Sequence, residues 1–231
     1  MVLAAGRGER MRPLTDTCPK PLLSVGGRPL IVWALQALQR AGVREVVINH
    51  AHLGGMIVAA LGDGASLGLS ITYSAEAQAL ETAGGIAAAR HALGEQPFVL
   101  VNADVFSDFD FAPLVAAARS LPPADLGLCV LVPNPEHHPD GDFALVDGRI
   151  HNHGSPRLTY SGLAVLRPAL VDGVTPGERA ALAPLLRDAA DRQRLAGLRF
   201  DGLWHDVGSP GRLRALDATL AQRSPGTPDS Q

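Results

Sequence analysis

Residues 3–22 read LAAGRGERMRPLTDTCPKPL and are the most informative stretch of the chain. They follow an apolar start that predicts a strand. Gly6 and Gly8 then expose backbone N–H groups in a turn, a geometry with which proteins bind phosphate. Arg10 and Lys20 add positive charge nearby. The stretch predicts a phosphate-binding loop, with a flexible surface loop of solvated arginines as the alternative; a dinucleotide fingerprint and a P-loop are excluded by missing residues.

Lys20 is the sole lysine among 20 basic residues. The chain uses arginine at every other basic position, so a lysine here indicates a site that requires a compact ammonium group rather than a planar guanidinium. Pro19 and Pro21 restrict the backbone on both sides of it. We therefore expect Lys20 to have a specific role toward phosphate.

Strands and helices alternate outward from this loop. The periodicity predicts a helix from Pro29, strands at 45–49, 69–73, 98–102 and 126–132, and helices at 56–61, 85–92 and 111–119. Such alternation is typical of an α/β fold with a Rossmann-like, mostly parallel sheet and helices on both faces.

The alternation of predicted strands and helices changes after residue 132. Segments 143–146 and 149–151 bracket Asp147-Gly148, which predicts a hairpin and hence a small β insertion. A strand at 158–166, a helix at 181–194, a segment at 198–207 and a helix at 210–222 complete the fold. We expect one domain over 1–223 and a disordered tail over 224–231.

The composition excludes several classes of protein. The 231 residues are 46% hydrophobic and carry a net charge of −3, which is typical of a soluble globular protein and gives no electrostatic basis for binding nucleic acid. No apolar run approaches a membrane span, and no signal peptide is evident, so we expect a cytoplasmic protein without membrane partners. The two cysteines form neither a disulfide framework nor a zinc motif. Nothing in the sequence specifies an oligomeric state.

Two aspartates are candidate metal ligands. Asp104 follows a predicted strand, where parallel sheets place ligands, and Asp206 lies in the segment WHDVGS. Together they could hold Mg²⁺ between phosphate groups, although each alone is equally well explained as a cap or turn residue. No charged partner for either is evident in the sequence. The adjacent His137 and His138 project apart and lack a third ligand, so we expect a loop role for them.

Consecutive glycines open the predicted helix that follows residue 80. Gly84 and Gly85 permit close approach of a flat base or ribose to the backbone. The alternative is a helix capped by Thr82, with glycines that are merely tolerated.

The loop at 3–22 resembles the signature of the sugar-phosphate nucleotidyltransferases, L-A-A-G-x-G-x-R-M-x-P-L-T followed by P-K-P-L, and matches it at every position. The resemblance continues in INH at 48–50, LETAGGI at 80–86, VNAD at 101–104, NPEHHPDGDF at 134–143, YSGLAVLRP at 160–168, LAPLLR at 182–187 and WHDVGSP at 204–210. It implies a glycosyltransferase-A-like fold and an enzyme that joins a nucleoside triphosphate to a sugar 1-phosphate.

The resemblance also implies roles for particular residues. Arg10 and Lys20 would be catalytic, and Asp104 and Asp206 would hold Mg²⁺. The nucleotide would contact Leu3, Ala4, Ala5, Gly6, Gly8, Glu9, Arg10, Lys20, Gln78, Thr82, Gly84 and Gly85. The sugar would contact short polar groups at strand ends, namely Asn102, Asp142, Ser161 and Gly162.

The chain's short length and its HH…GDF segment are most similar to family members that use UTP and N-acetylmuramic acid α-1-phosphate in peptidoglycan recycling. Ala83 leaves the base open, because thymidylyl and guanylyl relatives often have Thr-Ala-Gly at this place. The alternatives are mannose, glucose, N-acetylglucosamine or heptose 1-phosphate with GTP, dTTP or CTP. A regulatory protein that binds nucleotide sugars without catalysis is a further alternative, which loss of the charged positions would favour.

Overall fold

The structure is a computed structural model that describes residues 1–223, so the tail predicted at 224–231 lies outside the described residues. The strands are β1 (Val2–Leu3), β2 (Ser24–Val25), β3 (Arg28–Pro29), β4 (Glu45–His50), β5 (Ser70–Ala75), β6 (Phe98–Asn102), β7 (Val105–Ser107), β8 (Gly127–Val132), β9 (Phe143–Val146), β10 (Arg149–His151), β11 (Arg157–Leu166), β12 (Leu195–Arg199) and β13 (Trp204–Asp206). The helices are α1 (Leu30–Arg40), α2 (Gly54–Leu61), α3 (Glu81–Ala88), α4 (Arg90–Leu93), α5 (Ala112–Ser120), α6 (Leu182–Asp191) and α7 (Pro210–Arg223).

Nine strands form the central sheet in the order β5-β4-β1-β6-β11-β8-β12-β10-β9. Strands β5, β4, β1 and β6 pair in parallel, as do β8 and β12, while β11 runs antiparallel between these two groups. The prediction of an α/β fold with a mostly parallel sheet is confirmed. The carboxyl ends of β4, β1 and β6 therefore meet at one edge.

Alternating side chains of the strands pack into two cores, one on each face of the sheet. Leu100 and Ala164 point into the core that α3 and α6 cover. Val101 and Leu163 point into the core that α1, α2 and α5 cover. This alternation is the direct consequence of the two-residue period of a strand. Helices on both faces are therefore confirmed.

The hairpin at Asp147-Gly148 forms as predicted. Both residues have left-handed φ values, 49° and 74°, which suits a two-residue turn between β9 and β10. The hairpin extends the central sheet, because β10 pairs with β12 and β9 also pairs with β11.

Three helix predictions miss their boundaries. The helix predicted at 56–61 begins at Gly54. The helix predicted at 85–92 is two helices: α3 begins at Glu81 and ends at Ala88, and α4 follows from Arg90. The N–H of Leu80 before α3 donates to Glu76 Oε2 at 2.9 Å. Helix α6 ends at Asp191 rather than at 194, because Gln193 adopts a left-handed φ of 57° and turns the chain into β12. The segment expected at 198–207 contains the end of β12 and the separate strand β13.

A third, smaller core holds the N-terminal loop against the far end of the chain. It contains Met11, Leu23, Val25, Leu30, Phe106, Val207 and Leu216. Strand β7 pairs with β13 beside it, which brings 105–107 and 204–206 together. Among the helices described, none has the length and apolar character that crossing a membrane requires.

Candidate active site

The N-terminal loop leaves the sheet between two asparagines. Leu3, the last residue of β1, is in register with Asn49 of β4 and Asn102 of β6. The next residue, Ala4, donates its N–H to Asn49 Oδ1 at 2.9 Å. A cavity of about 400 Å³, which we name the loop cavity, opens here. Its lining consists of Leu3, Ala4, Ala5, Gly6, Gly8, Lys20, Pro21, Asn49, Gln78, Ala79, Glu81, Thr82, Asn102, Asp104 and Arg179.

The two loop glycines are required for different reasons. Gly8 has a left-handed φ of 70°, and a Cβ there would lie 3.0 Å from Thr15 Cγ2 and 3.3 Å from Lys20 Cβ. Gly6 has open space where a Cβ would be, with nothing within 4 Å. Gly8 therefore lets the loop close onto Lys20, whereas Gly6 leaves its side of the cavity open to a ligand.

Lys20 is buried, with only 11% of its side chain exposed, and its ammonium group contacts Asp104 Oδ2. It begins a short 3-10 turn, in which Leu22 N–H donates to Pro19 O at 2.8 Å. A buried ammonium held against a carboxylate is not a solvated surface cation. Lys20 is thus fixed in the lining of the loop cavity by its contact with Asp104, and its role toward phosphate stays a prediction.

The three arginines of the loop differ in their partners. Arg7 donates to Thr15 O at 2.9 Å, and Arg12 contacts Asp16 at 2.8 Å. The exposed side chain of Arg10 contacts no acceptor in the part of the chain described. Its guanidinium lies beside Gly208, where a Cβ would be 3.2 Å from Arg10 Nη2. Arg10 is therefore the loop arginine that is available to an anion, although it lies outside the cavity lining, as does Glu9.

Asp104 and Asp206 lie on neighbouring segments. Asp206 faces Val105 across the β7–β13 ribbon, and Val207 N–H donates to Asp104 O at 2.8 Å. The structure gives both carboxylates a charged partner that the sequence did not reveal. Asp104 contacts Lys20, and Asp206 contacts Arg212 at 2.9 Å.

The two adjacent histidines lie in the loop between β8 and β9, and each contacts one aspartate of the candidate site. His137 Nε2 lies 3.1 Å from Asp206 Oδ1, and His138 Nε2 lies 3.1 Å from Asp142 Oδ1. Across residues 1–223, no group of three or more His, Cys, Asp and Glu side chains is arranged to hold a metal ion. Each histidine contacts one aspartate instead of joining a metal-binding group.

Gln78 and Thr82 line the loop cavity, but Gly84 and Gly85 do not. A Cβ at Gly84 would lie 2.3 Å from Glu178 O, and a Cβ at Gly85 would lie 2.7 Å from Asn49 Nδ2. These glycines allow α3 to approach the protein's own backbone and side chains. The sequence suggested that these glycines let a base approach the backbone. In the structure, other residues of the chain occupy that space.

A buried polar network that sequence reasoning missed holds the loop to α3. Asn49 accepts from Ala4 N–H and donates to Glu76 Oε1 at 2.7 Å. Glu76 Oε2 accepts from Leu80 N–H. Asn49 lies within the INH motif, so the motif was a signal, but the partnership with Glu76 needs the pairing of β4 with β5.

A second cavity of about 400 Å³, which we name the α6 cavity, adjoins the first. Its lining consists of Glu81, Thr82, Asn102, Asp142, Phe143, Tyr160, Ala181, Leu182, Ala183, Leu186 and Arg187. Glu81, Thr82 and Asn102 line both cavities. A ligand in one cavity can therefore reach a ligand in the other past these three residues.

The four residues predicted to bind sugar divide into two pairs. Asn102 and Asp142 line the α6 cavity. Ser161 is buried, and its hydroxyl donates to Val130 O at 2.8 Å and accepts from Leu163 N–H. Gly162 packs against Asn102, where a Cβ would lie 2.6 Å from Nδ2. Ser161 and Gly162 lie outside the lining of both cavities, and of the two only Gly162 is seen to pack against Asn102.

Tyr160 supplies a wall of the α6 cavity and carries an unusual hydroxyl group. The hydroxyl oxygen is buried and makes no hydrogen bond to any residue of the described range. Burial raises the pKa of the Tyr160 hydroxyl well above its ordinary value. The hydroxyl is therefore neutral and has no protein partner within residues 1–223.

The site thus combines a glycine loop, a buried lysine and two aspartates on neighbouring segments. The chain belongs to the nucleotidyl transferase family, whose sequence profile matches residues 1–141. Members of the family generally use a divalent metal ion. The chain is 52% identical to the N-acetylmuramate alpha-1-phosphate uridylyltransferase of Neisseria meningitidis serogroup B, over 94% of this chain and 96% of that protein. The protein of the same name from Caulobacter vibrioides is 35% identical over 96% of both chains.

A solved structure described as a glucose-1-phosphate thymidylyltransferase of Bacillus anthracis has the same fold. It matches with a TM-score of 0.84 over 98% of this chain and 96% of that chain, at 20% sequence identity. The likeness at this level of identity concerns the fold alone, and it agrees with the mixed α/β sheet described above.

Proposed function

We propose that this enzyme transfers a uridylyl group from UTP to N-acetylmuramic acid α-1-phosphate, forming UDP-N-acetylmuramic acid and pyrophosphate. The observation that carries the proposal is the 52% identity, over almost the whole chain, to the uridylyltransferase of that specificity. The two adjoining cavities support it, because one substrate can occupy each of them with the reacting phosphates near their shared wall.

The chemistry requires no protein nucleophile. An oxygen of the sugar phosphate, already anionic at neutral pH, attacks the α-phosphorus of UTP, and the bond to the pyrophosphate leaving group breaks. The protein contributes positioning and charge stabilisation. Backbone N–H groups of the glycine loop and the Lys20 ammonium would stabilise charge at the α-phosphate. Arg10 would bind the departing pyrophosphate, and the neighbouring Arg212 adds positive charge there.

The proposal includes Mg²⁺ as the metal, held by Asp104 and Asp206. Residues 1–223 offer no third side chain arranged with these two carboxylates to hold a metal. Such a pair suits a hard cation that takes its remaining ligands from phosphate and water, and does not suit tetrahedral zinc. When bound, the ion would neutralise charge on the phosphate oxygens. In the free protein Lys20 contacts Asp104 and Arg212 contacts Asp206.

The test is pyrophosphate release measured over a grid of UTP, GTP, dTTP and CTP with several sugar 1-phosphates. We expect UTP with N-acetylmuramic acid α-1-phosphate to give the highest kcat/KM. A preference of about tenfold or more for glucose, mannose or heptose 1-phosphate, equivalent to about 1.4 kcal/mol, would contradict the acceptor assignment and leave the family intact. The Lys20→Ala variant, purified in the same way, serves as the control for pyrophosphate released by a contaminating nucleotidyltransferase.

The proposed product also suggests where the enzyme works. A UDP-linked N-acetylmuramic acid is a nucleotide sugar that cell-wall synthesis consumes, so we propose a role in peptidoglycan recycling in the cytoplasm, where nucleoside triphosphates are available.

A further inference from the structure

The α6 cavity has three charged lining residues, and two of them contact neighbouring side chains. Glu81 contacts Arg179 at 2.7 Å, and Asp142 contacts His138 at 3.1 Å. The third is Arg187, an exposed residue of α6 whose guanidinium contacts no acceptor anywhere in 1–223. Among residues 1–223, Arg187 is therefore the one charged lining residue of this cavity whose side chain has no partner.

Within the described range, the Arg187 side chain has no partner although acidic residues follow it on the same helix. Asp188 contacts Arg192 at 3.0 Å, and Asp191 accepts from Asn152 at 2.7 Å. Asn152 also donates to the main-chain oxygen of Arg187 at 2.8 Å, which anchors this turn of α6. The backbone of Arg187 is thus fixed while its side chain is left free.

The position of Arg187 within the cavity indicates which part of a substrate it meets. Glu81, Thr82 and Asn102 are shared with the loop cavity and mark the end where a sugar 1-phosphate must meet the nucleotide. Arg187 and Leu186 belong to the α6 wall, which the loop cavity does not share. A sugar bound by its 1-phosphate would present its ring substituents to this wall.

We propose that Arg187 selects the acceptor by binding the carboxylate of the 3-O-lactyl group, which distinguishes N-acetylmuramic acid from N-acetylglucosamine. This inference rests on the proposed function. A guanidinium binds a carboxylate through two parallel hydrogen bonds, which adds geometric specificity to the charge interaction. N-acetylglucosamine 1-phosphate, which lacks the lactyl group, leaves this cation unpaired.

The experiment compares the two acceptors in Arg187→Ala and Arg187→Lys, with UTP as the donor. For Arg187→Ala we expect kcat/KM with N-acetylmuramic acid α-1-phosphate to fall about 10- to 100-fold, the value of a charged hydrogen-bonded contact. With N-acetylglucosamine 1-phosphate the variant should stay within about threefold of wild type. Arg187→Lys should recover part of the loss, because it keeps the charge without the planar fork.

Arg192→Ala is the matched control, since Arg192 follows the same helix but does not line the cavity. Equilibrium binding of UDP-N-acetylmuramic acid and UDP-N-acetylglucosamine to each variant adds a readout that does not depend on turnover. Only the first product should bind Arg187→Ala more weakly. A wild-type enzyme with no preference for the lactylated acceptor would overturn the proposed function and this inference together. If the preference is present but survives in Arg187→Ala, the proposed function stands and the role of Arg187 is rejected.

Discussion

The loop cavity and the α6 cavity adjoin each other but are built in different ways. Much of the loop cavity comes from one continuous segment, 3–22, and uses backbone N–H groups, glycines and one buried lysine. The α6 cavity is assembled from side chains of β6, β9, β11, α3 and α6, which are distant in the sequence. In the proposed function, backbone groups of the first cavity would bind the phosphates that every nucleoside triphosphate shares, whereas side chains of the second would distinguish one sugar from another. Changes in the first cavity should therefore affect turnover with every acceptor, and changes in the second should affect the choice of acceptor.

The largest effect is expected at Lys20. Arginine keeps the charge, but its wider guanidinium on a stem packed against Gly8 would displace the α-phosphate, and about 1 Å of misplacement costs on the order of a hundredfold in rate. We expect Lys20→Arg and Lys20→Ala each to lose at least about a hundredfold in kcat with both acceptors. Steady-state kinetics with a thermal melt of each variant checks this. A Lys20→Arg enzyme within about threefold of wild type would show that this cavity does not require a compact ammonium group.

A smaller effect on activity is expected for the arginines of the loop, and it should differ between Arg10 and Arg12. Arg10→Ala should lower kcat/KM for UTP by about 10- to 100-fold, because it removes a cation that has no other partner in the described structure. Arg12→Ala should remain within about threefold, since its exposed ion pair with Asp16 contributes little. The pair is compared by initial rates at varied UTP. Equal losses in the two variants would mean that the loop attracts the nucleotide by its overall charge rather than through Arg10.

In the α6 cavity, Asp142→Asn should raise KM for the sugar 1-phosphate by about tenfold, because a neutral acceptor binds a hydroxyl less strongly than a carboxylate does. The amide oxygen can still accept from Tyr160 N–H, so the strand should keep its place. KM for UTP should not change. Asp140→Asn, in the same loop but outside the lining, is the control. A rise in KM for UTP equal to that for the sugar would erase the distinction between the two cavities.

The smallest effect is expected at Tyr160 and concerns stability. Tyr160→Phe removes a buried hydroxyl that has no partner in the described structure, so the free energy of unfolding should stay constant or rise by up to about 1 kcal/mol. Tyr73→Phe is the comparison, because the Tyr73 hydroxyl donates to Gly62 O at 2.7 Å, and its loss should cost about 1 kcal/mol. Urea unfolding measures both. Equal destabilisation of the two variants would show that the Tyr160 hydroxyl does have a partner.

The same contrast explains what the sequence could predict. The parallel sheet, the hairpin at Asp147-Gly148 and the contiguous loop follow from local patterns, and the structure contains all three. Gly84 and Gly85 were interpreted as ligand contacts, because a sequence shows the permissiveness of a glycine but not which atoms approach it. Glu76 escaped prediction because its role depends on the pairing of β4 with β5 and on the start of α3.

The sequence also did not indicate which charged residues contact one another. Arg212 and His137 both contact Asp206. Nothing in the order of residues indicates that the loop after β8 and the helix after β13 meet at this aspartate. Arg187 was part of a matching motif, yet its lack of a partner became visible only when the neighbouring acids were seen to be engaged elsewhere.

The small core around Met11 and Leu216 has a consequence for the order in which the molecule folds. It joins the first residues of the chain to α7, and Gly26 N–H donates to Asp217 across the same seam. Contacts of such sequence separation carry a large loop-closure entropy and form late. During synthesis, the sheet can assemble while the N-terminal loop still lacks its supporting helix. The loop at 3–22 therefore gains this part of its support only after α7 has been made and has packed against it.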